Sequence, residues 1–114
     1  MRGKIPVVLS AVLLLGLLLT AGCRATKISD ILDNFSQYEG KRVTIVGTVG
    51  DTIWLGIAER GAFQVGDGSG TIWVVTSRPP PQTGDDVTVT GTAQAAFTLG
   101  ETSLGEVIME SERR

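Results

Sequence analysis

Two tryptophans and two arginines, Trp54, Trp73, Arg60 and Arg78, are the side chains of this sequence best suited to gripping another molecule. An aromatic face with a guanidinium nearby can stack on a base or sugar, or hold a peptide. Catalytic sets are harder to assemble. The chain has 114 residues, no histidine and a single cysteine, Cys23. Triads and dyads built on an imidazole base are thereby excluded, as are an intramolecular disulfide and most imidazole or thiolate metal sites. Asp85 and Asp86 are adjacent, so on a strand they point to opposite sides, a poor arrangement for paired acid and base. Asp67 and Ser69 offer oxygen ligands, but their segment lacks the further carboxylates and the distant glutamate of a calcium loop. A hairpin turn accounts for them better. No enzymatic activity, metal or cofactor is expected.

The first residues form an address. Arg2 and Lys4 supply positive charge, Ile5–Leu19 is a leucine-rich apolar run, and small residues lead to Cys23. That is the layout of a secretory signal. Leu19-Thr20-Ala21-Gly22-Cys23 resembles the lipobox of bacterial lipoproteins, with Thr20 standing where leucine is commoner. The resemblance implies cleavage before Cys23, acylation of Cys23, and a protein held on the cell membrane or outer membrane, facing away from the cytoplasm. Residues 1–22 then form the signal, residues 23–27 the lipidated cysteine with a short linker, and residues 28–114 the folded domain. The alternative is an uncleaved membrane helix, since eighteen apolar residues, 5–22, are just long enough to span a bilayer. Either outcome tethers the domain to a membrane.

Beyond Cys23 the chain carries eight basic and twelve acidic residues, so that part is net negative. Such a balance gives no reason to expect a polyanionic partner.

The elements that must position these side chains follow from periodicity. Ile28, Ile31, Leu32, Phe35 and Tyr38 recur at spacings of three and four, one stripe of a short helix with Ser29 as its expected N-cap. The stripe should cover one end of whatever the strands build. Val43, Ile45 and Val49 alternate with Thr44, Val46 and Thr48 in a β-branched strand from Arg42 to about Trp54, where Gly47 is expected to mark a bulge or bend. Further strands are predicted over Ala62–Gly66, Thr71–Thr76, from Asp86 past a second bending glycine at Gly91, and over Gly105–Glu110. Asp67-Gly68-Ser69-Gly70 reads as a tight hairpin, Pro79-Pro80-Pro81 as a stiff connection, and Ser111–Arg114 as a frayed tail.

Five short strands, two of them interrupted by glycine, predict an all-β domain: a five-stranded barrel with a short N-terminal capping helix. From Ile28 to Met109 the chain resembles small bacterial OB-fold domains of the tRNA-anticodon-like type. The likeness rests on the helix followed by Tyr38-Glu39-Gly40-Lys41, on Val43–Val49, on Asp67–Gly70 and on Val87–Thr92. It departs from many OB-folds in having a proline-rich loop, Ser77–Asp85, where they place a helix between strands three and four. The resemblance implies a ligand face across strands two and three. Trp73 would point outward there, with Arg60, Trp54 and Arg78 near the rim. The sequence pI near 5 offers few cations to phosphates, so nucleic acid is the weaker expectation for that face. A protein, peptide or small ligand is the stronger one. Haem chaperones also use a tethered OB-like barrel, but their chemistry needs a histidine that is missing here.

Overall fold

The computed structural model describes residues 25–114. The signal, the lipobox and Cys23 lie outside the described residues. Two short helices, α1 (Ile28–Asp33) and α2 (Phe35–Tyr38), precede five strands: β1 (Arg42–Leu55), β2 (Arg60–Gly66), β3 (Thr71–Thr76), β4 (Asp86–Leu99) and β5 (Thr102–Arg113). The strands close into a barrel in the order β1-β2-β3-β5-β4. All neighbouring pairs are antiparallel except β3 and β5, which run parallel. This is the OB-fold. Among the described residues no helix is long and apolar enough to cross a membrane.

Alternation decides what fills the barrel. Val43, Ile45 and Val49 of β1, Phe63 and Val65 of β2, Ile72 and Val74 of β3, Val87 and Val89 of β4, and Ile108 of β5 form one buried cluster. Ile28, Ile31 and Phe35 complete it from the helices, with Leu32 and Tyr38 packed against its margin. Six residues cannot sustain a helix in water. Burial of Ile28 and Ile31, worth roughly 1.5–3 kcal/mol each, holds α1 in place instead.

Three expectations about local structure are corrected. The first is the bulge in β1. Gly47 stays in register opposite Val87, and the pairing with β2 slips instead between Val49 and Thr52. Gly47 is required for a different reason: a β-carbon there would run into the backbone carbonyl of Gly66. Gly91 is a similar close approach, against the Met109 carbonyl, and here the register does shift, between Thr90 and Gly91.

The second correction is the cap. Ser29 lies inside α1, and Lys27 occupies the N-cap position without a side-chain bond. The free N–H groups are satisfied from the β2–β3 turn. Ile28 N–H donates to Asp67 Oδ2 at 3.0 Å, and Ser29 N–H donates to Ser69 Oγ at 3.1 Å. Ser69 Oγ in turn donates to Asp67 Oδ1 at 2.6 Å. The turn and the helix start are therefore one hydrogen-bonded unit. Burial alone would raise the Asp67 carboxyl, but donors from the Ser69 hydroxyl and from the Ile28, Ser69 and Gly70 amides outweigh it and hold the carboxyl at about 2.

The third correction is the tail. Arg113 pairs with Val89, and Arg114 exchanges two backbone hydrogen bonds with Thr88, of 2.9 and 3.0 Å. The last residues are ladder, not fray.

Candidate functional site

The outward face of β2 and β3 is largely buried. Register puts Ala62, Val75 and Val107 on the side of the sheet away from Phe63, Val74 and Ile108. All three are nonetheless buried. The β4–β5 hairpin approaches the end of β1. It runs on to Leu99 and Thr102, well beyond its expected length, and bulges as it goes, with Ala96 at φ 54°. A β-carbon on Gly100, at the hairpin tip, would stand 3.7 Å from Leu55 Cδ1. Leu55 pairs with Arg60, on the Ala62 side of the β1–β2 ribbon. The tip of the arm thus meets the end of β1, and Leu99 is buried.

Trp73 is half-buried, in register with Gln64 and Val107. Trp54 does not share its face. The extra residue at Gly50–Asp51, where Gln64 Oε1 accepts from Asp51 N–H at 3.2 Å, turns the rest of β1 over. Thr52 and Trp54 then stand on the Phe63 side, and the Trp54 ring covers Gly61, its partner across the ladder. The two tryptophans are not brought onto one platform.

Arg78 is engaged in the fold. Its Nη2 donates to Glu110 Oε1 at 2.9 Å, while Arg113 Nη1 donates to Glu110 Oε2 at 3.2 Å. Arg113 also donates to the Pro79 carbonyl at 3.0 Å and stacks 5.2 Å above the Phe63 ring. Burial lowers the Arg113 pKa, the Glu110 carboxylate counters that, and Arg78 adds to the lowering. Thr76 Oγ1 completes the set, 3.2 Å from Glu110 Oε1 and accepting from Arg78 N–H at 3.1 Å. The Glu110 side chain is only 4% exposed and that of Arg113 14%, so this is a buried ion cluster at the end of β3 farthest from α1. Two guanidiniums on one carboxylate leave it net positive. Arg78 keeps 55% of its side chain in solvent.

Arg60 lies beside that cluster. With Val75, Thr76, Ser77, Met109 and Glu110 it lines a cleft of about 110 Å³. Among the described residues Arg60 has no ion-pair partner. Immediately before it, the β1–β2 connection makes one tight turn, Gly56–Ala58, and Glu59 takes a left-handed conformation at φ 48°. This tip is apolar and exposed: Trp54 is 37% accessible, Leu55 40%, and Ile57 wholly so. Ile57 was legible as an apolar residue inside a glycine-flanked turn, Gly56–Gly61, a place where burial is not available. Ser77 and Glu110 carried no comparable signal.

No family model matches the chain, and no curated protein does. Solved structures do. Asparaginyl-tRNA synthetase from Pyrococcus horikoshii, complexed with asparaginyl-adenylate, aligns with a TM-score of 0.63 at 14% identity, over 81% of this chain and 22% of the synthetase. A putative aspartyl-tRNA synthetase from Leishmania major Friedlin aligns at 0.60 and 15%, over 81% of this chain and 21% of its own. The OBody AM1L10, bound to hen egg-white lysozyme, aligns at 0.57 and 18%, over 80% of this chain and 92% of the OBody. The chain spans about a fifth of each synthetase. At these identities the likeness establishes the OB-fold and stops there.

Proposed function

We propose that this chain is a non-enzymatic OB-fold binding module, tethered outside the cytoplasm through acylated Cys23, that recognises a protein or peptide. The observation that carries the recognition is the exposed apolar tip, Leu55 and Ile57, set beside Arg60, which has no ion-pair partner among the described residues. Ile57, wholly solvent-facing, gains nothing for the fold there, and association is what such an exposed apolar surface favours. The OBody bound to lysozyme supports this, since it is a barrel of the same fold on a protein partner. Against catalysis, the two carboxylates with elaborated surroundings both serve structure: Asp67 holds the helix start and Glu110 holds two arginines. The tether rests on the lipobox-like Leu19–Cys23.

The test compares membrane proteins retained by immobilised full-length chain with those retained by Trp73→Ala, Arg78→Ala and Ile57→Ser. Selective loss in one variant locates recognition. An identical retained set in all four ends the binding proposal. Nucleic acid is the second reading, favoured by the likeness to two tRNA synthetases and opposed by the acidic charge. Filter binding to single-stranded oligonucleotides at low salt decides it, and no retention removes it.

A further inference from the structure

Resting on the reading of this chain as a protein- or peptide-binding module, we infer that its partner presents a carboxylate next to a bulky apolar residue. The carboxylate enters the Arg60 cleft and the apolar residue packs on the Leu55–Ile57 tip.

The cleft sets the size of the charged group. Its volume of about 110 Å³ is a few waters' worth, at roughly 30 Å³ each. That admits a carboxylate and is well short of the ~300 Å³ at which pockets for larger ligands begin. Its lining sets the sign. Arg60 lines it without an ion-pair partner among the described residues, beside Ser77, while the Thr76 hydroxyl is spent on Glu110 and Arg78. Glu110 does not repel an incoming anion, because each of its oxygens is held by a guanidinium and the cluster as a whole is positive. A single carboxylate suits this better than a nucleic-acid backbone, which needs a track of cations that this acidic chain does not supply.

The tip supplies the apolar half. Leu55 pairs directly with Arg60 across the ladder, so the two features meet at one end of the β1–β2 ribbon. The occupant is not the membrane of the chain's own tether. Thr26 N–H donates to the Thr44 carbonyl at 2.8 Å and the helix start is bonded to the β2–β3 turn, so the chain enters the barrel at the opposite pole. β2, Arg60–Gly66, separates the two poles by roughly 20 Å at ~3.3 Å per residue. A short linker at one pole leaves the other facing outward, toward a protein.

The experiment pans a random heptapeptide display library on the full-length chain in detergent micelles. Enriched peptides are then measured against the wild type, Arg60→Gln and Ile57→Ser. Neither side chain supports the fold, so both variants keep wild-type unfolding curves. The expected result is a consensus pairing Asp or Glu with Leu, Ile, Phe or Met. Affinity should fall about tenfold or more in each variant, as removal of one charged hydrogen bond or one buried aliphatic side chain implies. A consensus without an acidic residue, or affinity unchanged in either variant, overturns this inference and leaves a binding module with a different site. Enrichment of no peptide above empty micelles overturns the inference and the peptide-binding reading together.

Discussion

Removing the Asp67 carboxylate tests the least conventional joint in the fold, a helix start capped by a distant turn. Asp67→Ala deletes the acceptor for four donors: Ile28 N–H at 3.0 Å, Ser69 N–H at 2.9 Å, Ser69 Oγ at 2.6 Å and Gly70 N–H at 3.3 Å. The exposed Ser69 donors regain water. Those of Ile28 and Gly70 are partly buried and regain less. Loss of an N-cap typically costs ~1 kcal/mol, and the remaining turn bonds add about as much, so the expected cost is roughly 2 kcal/mol. Linkage gives an independent figure for the charge alone. A carboxyl lowered from 3.8 to about 2 corresponds at most to ~2.4 kcal/mol, and because this group is mostly solvated, about 1 kcal/mol is the discounted value. Asp67→Asn, which keeps the shape, should therefore cost about half as much as Asp67→Ala. For a domain of this size ~1 kcal/mol moves Tm by roughly 4–8 °C.

The folded-state value is depressed, so this stabilisation is fully present above about pH 4 and is lost as pH falls through 2. Thermal unfolding followed by circular dichroism at pH 7 should separate wild type, Asn and Ala in that order. The gap between wild type and Asn should close near pH 2, since other carboxylates titrate alike in both. Equal Tm values at pH 7, or a gap between wild type and Asn that persists undiminished below pH 2, would refute the capping argument.

Other expectations concern packing, charge and processing. Gly91→Ala forces a β-carbon into the Met109 carbonyl and should cost about 1–3 kcal/mol in urea unfolding. Glu110→Ala leaves the buried Arg113 unmatched and should cost roughly 3 kcal/mol, whereas Arg78→Ala, removing a half-exposed partner, should cost under ~1 kcal/mol. Intact-mass spectrometry should find a chain that begins at an acylated Cys23. An unmodified cysteine together with a retained Met1 contradicts the lipoprotein reading.

Much of the barrel could be read from alternation, because Val43, Ile45, Val65, Ile72, Val74, Val87 and Val89 are β-branched and all face one way. The Asp67–Gly70 turn was legible from its residue types, but its second role was not. A bond from Ile28 to Asp67 spans 39 residues and leaves no local pattern. The β4–β5 arm was underestimated because Gln94-Ala95-Ala96 and Thr98 carry little hydrophobic alternation, and its ladder depends on pairing rather than propensity. The tail was misjudged for a related reason: besides Glu110, three residues before it, charged Arg113 is held by the Pro79 carbonyl and the Phe63 ring, both remote in sequence. Trp54 shows how one extra residue changes a site. Strict alternation from Val49 sets it on the outer face, and the bulge at Gly50–Asp51 sets it on the other. The expected aromatic platform depended on that count.

The most direct test of where this barrel binds is an amide NMR map with an enriched acidic-apolar peptide at saturation. The expected shifts cluster on Trp54–Gly61 and Thr76–Arg78, with Gln64 and Trp73 unmoved. Shifts centred on Gln64, Trp73 and Val107, with Ile57 and Arg60 silent, would contradict it and return recognition to the strand face.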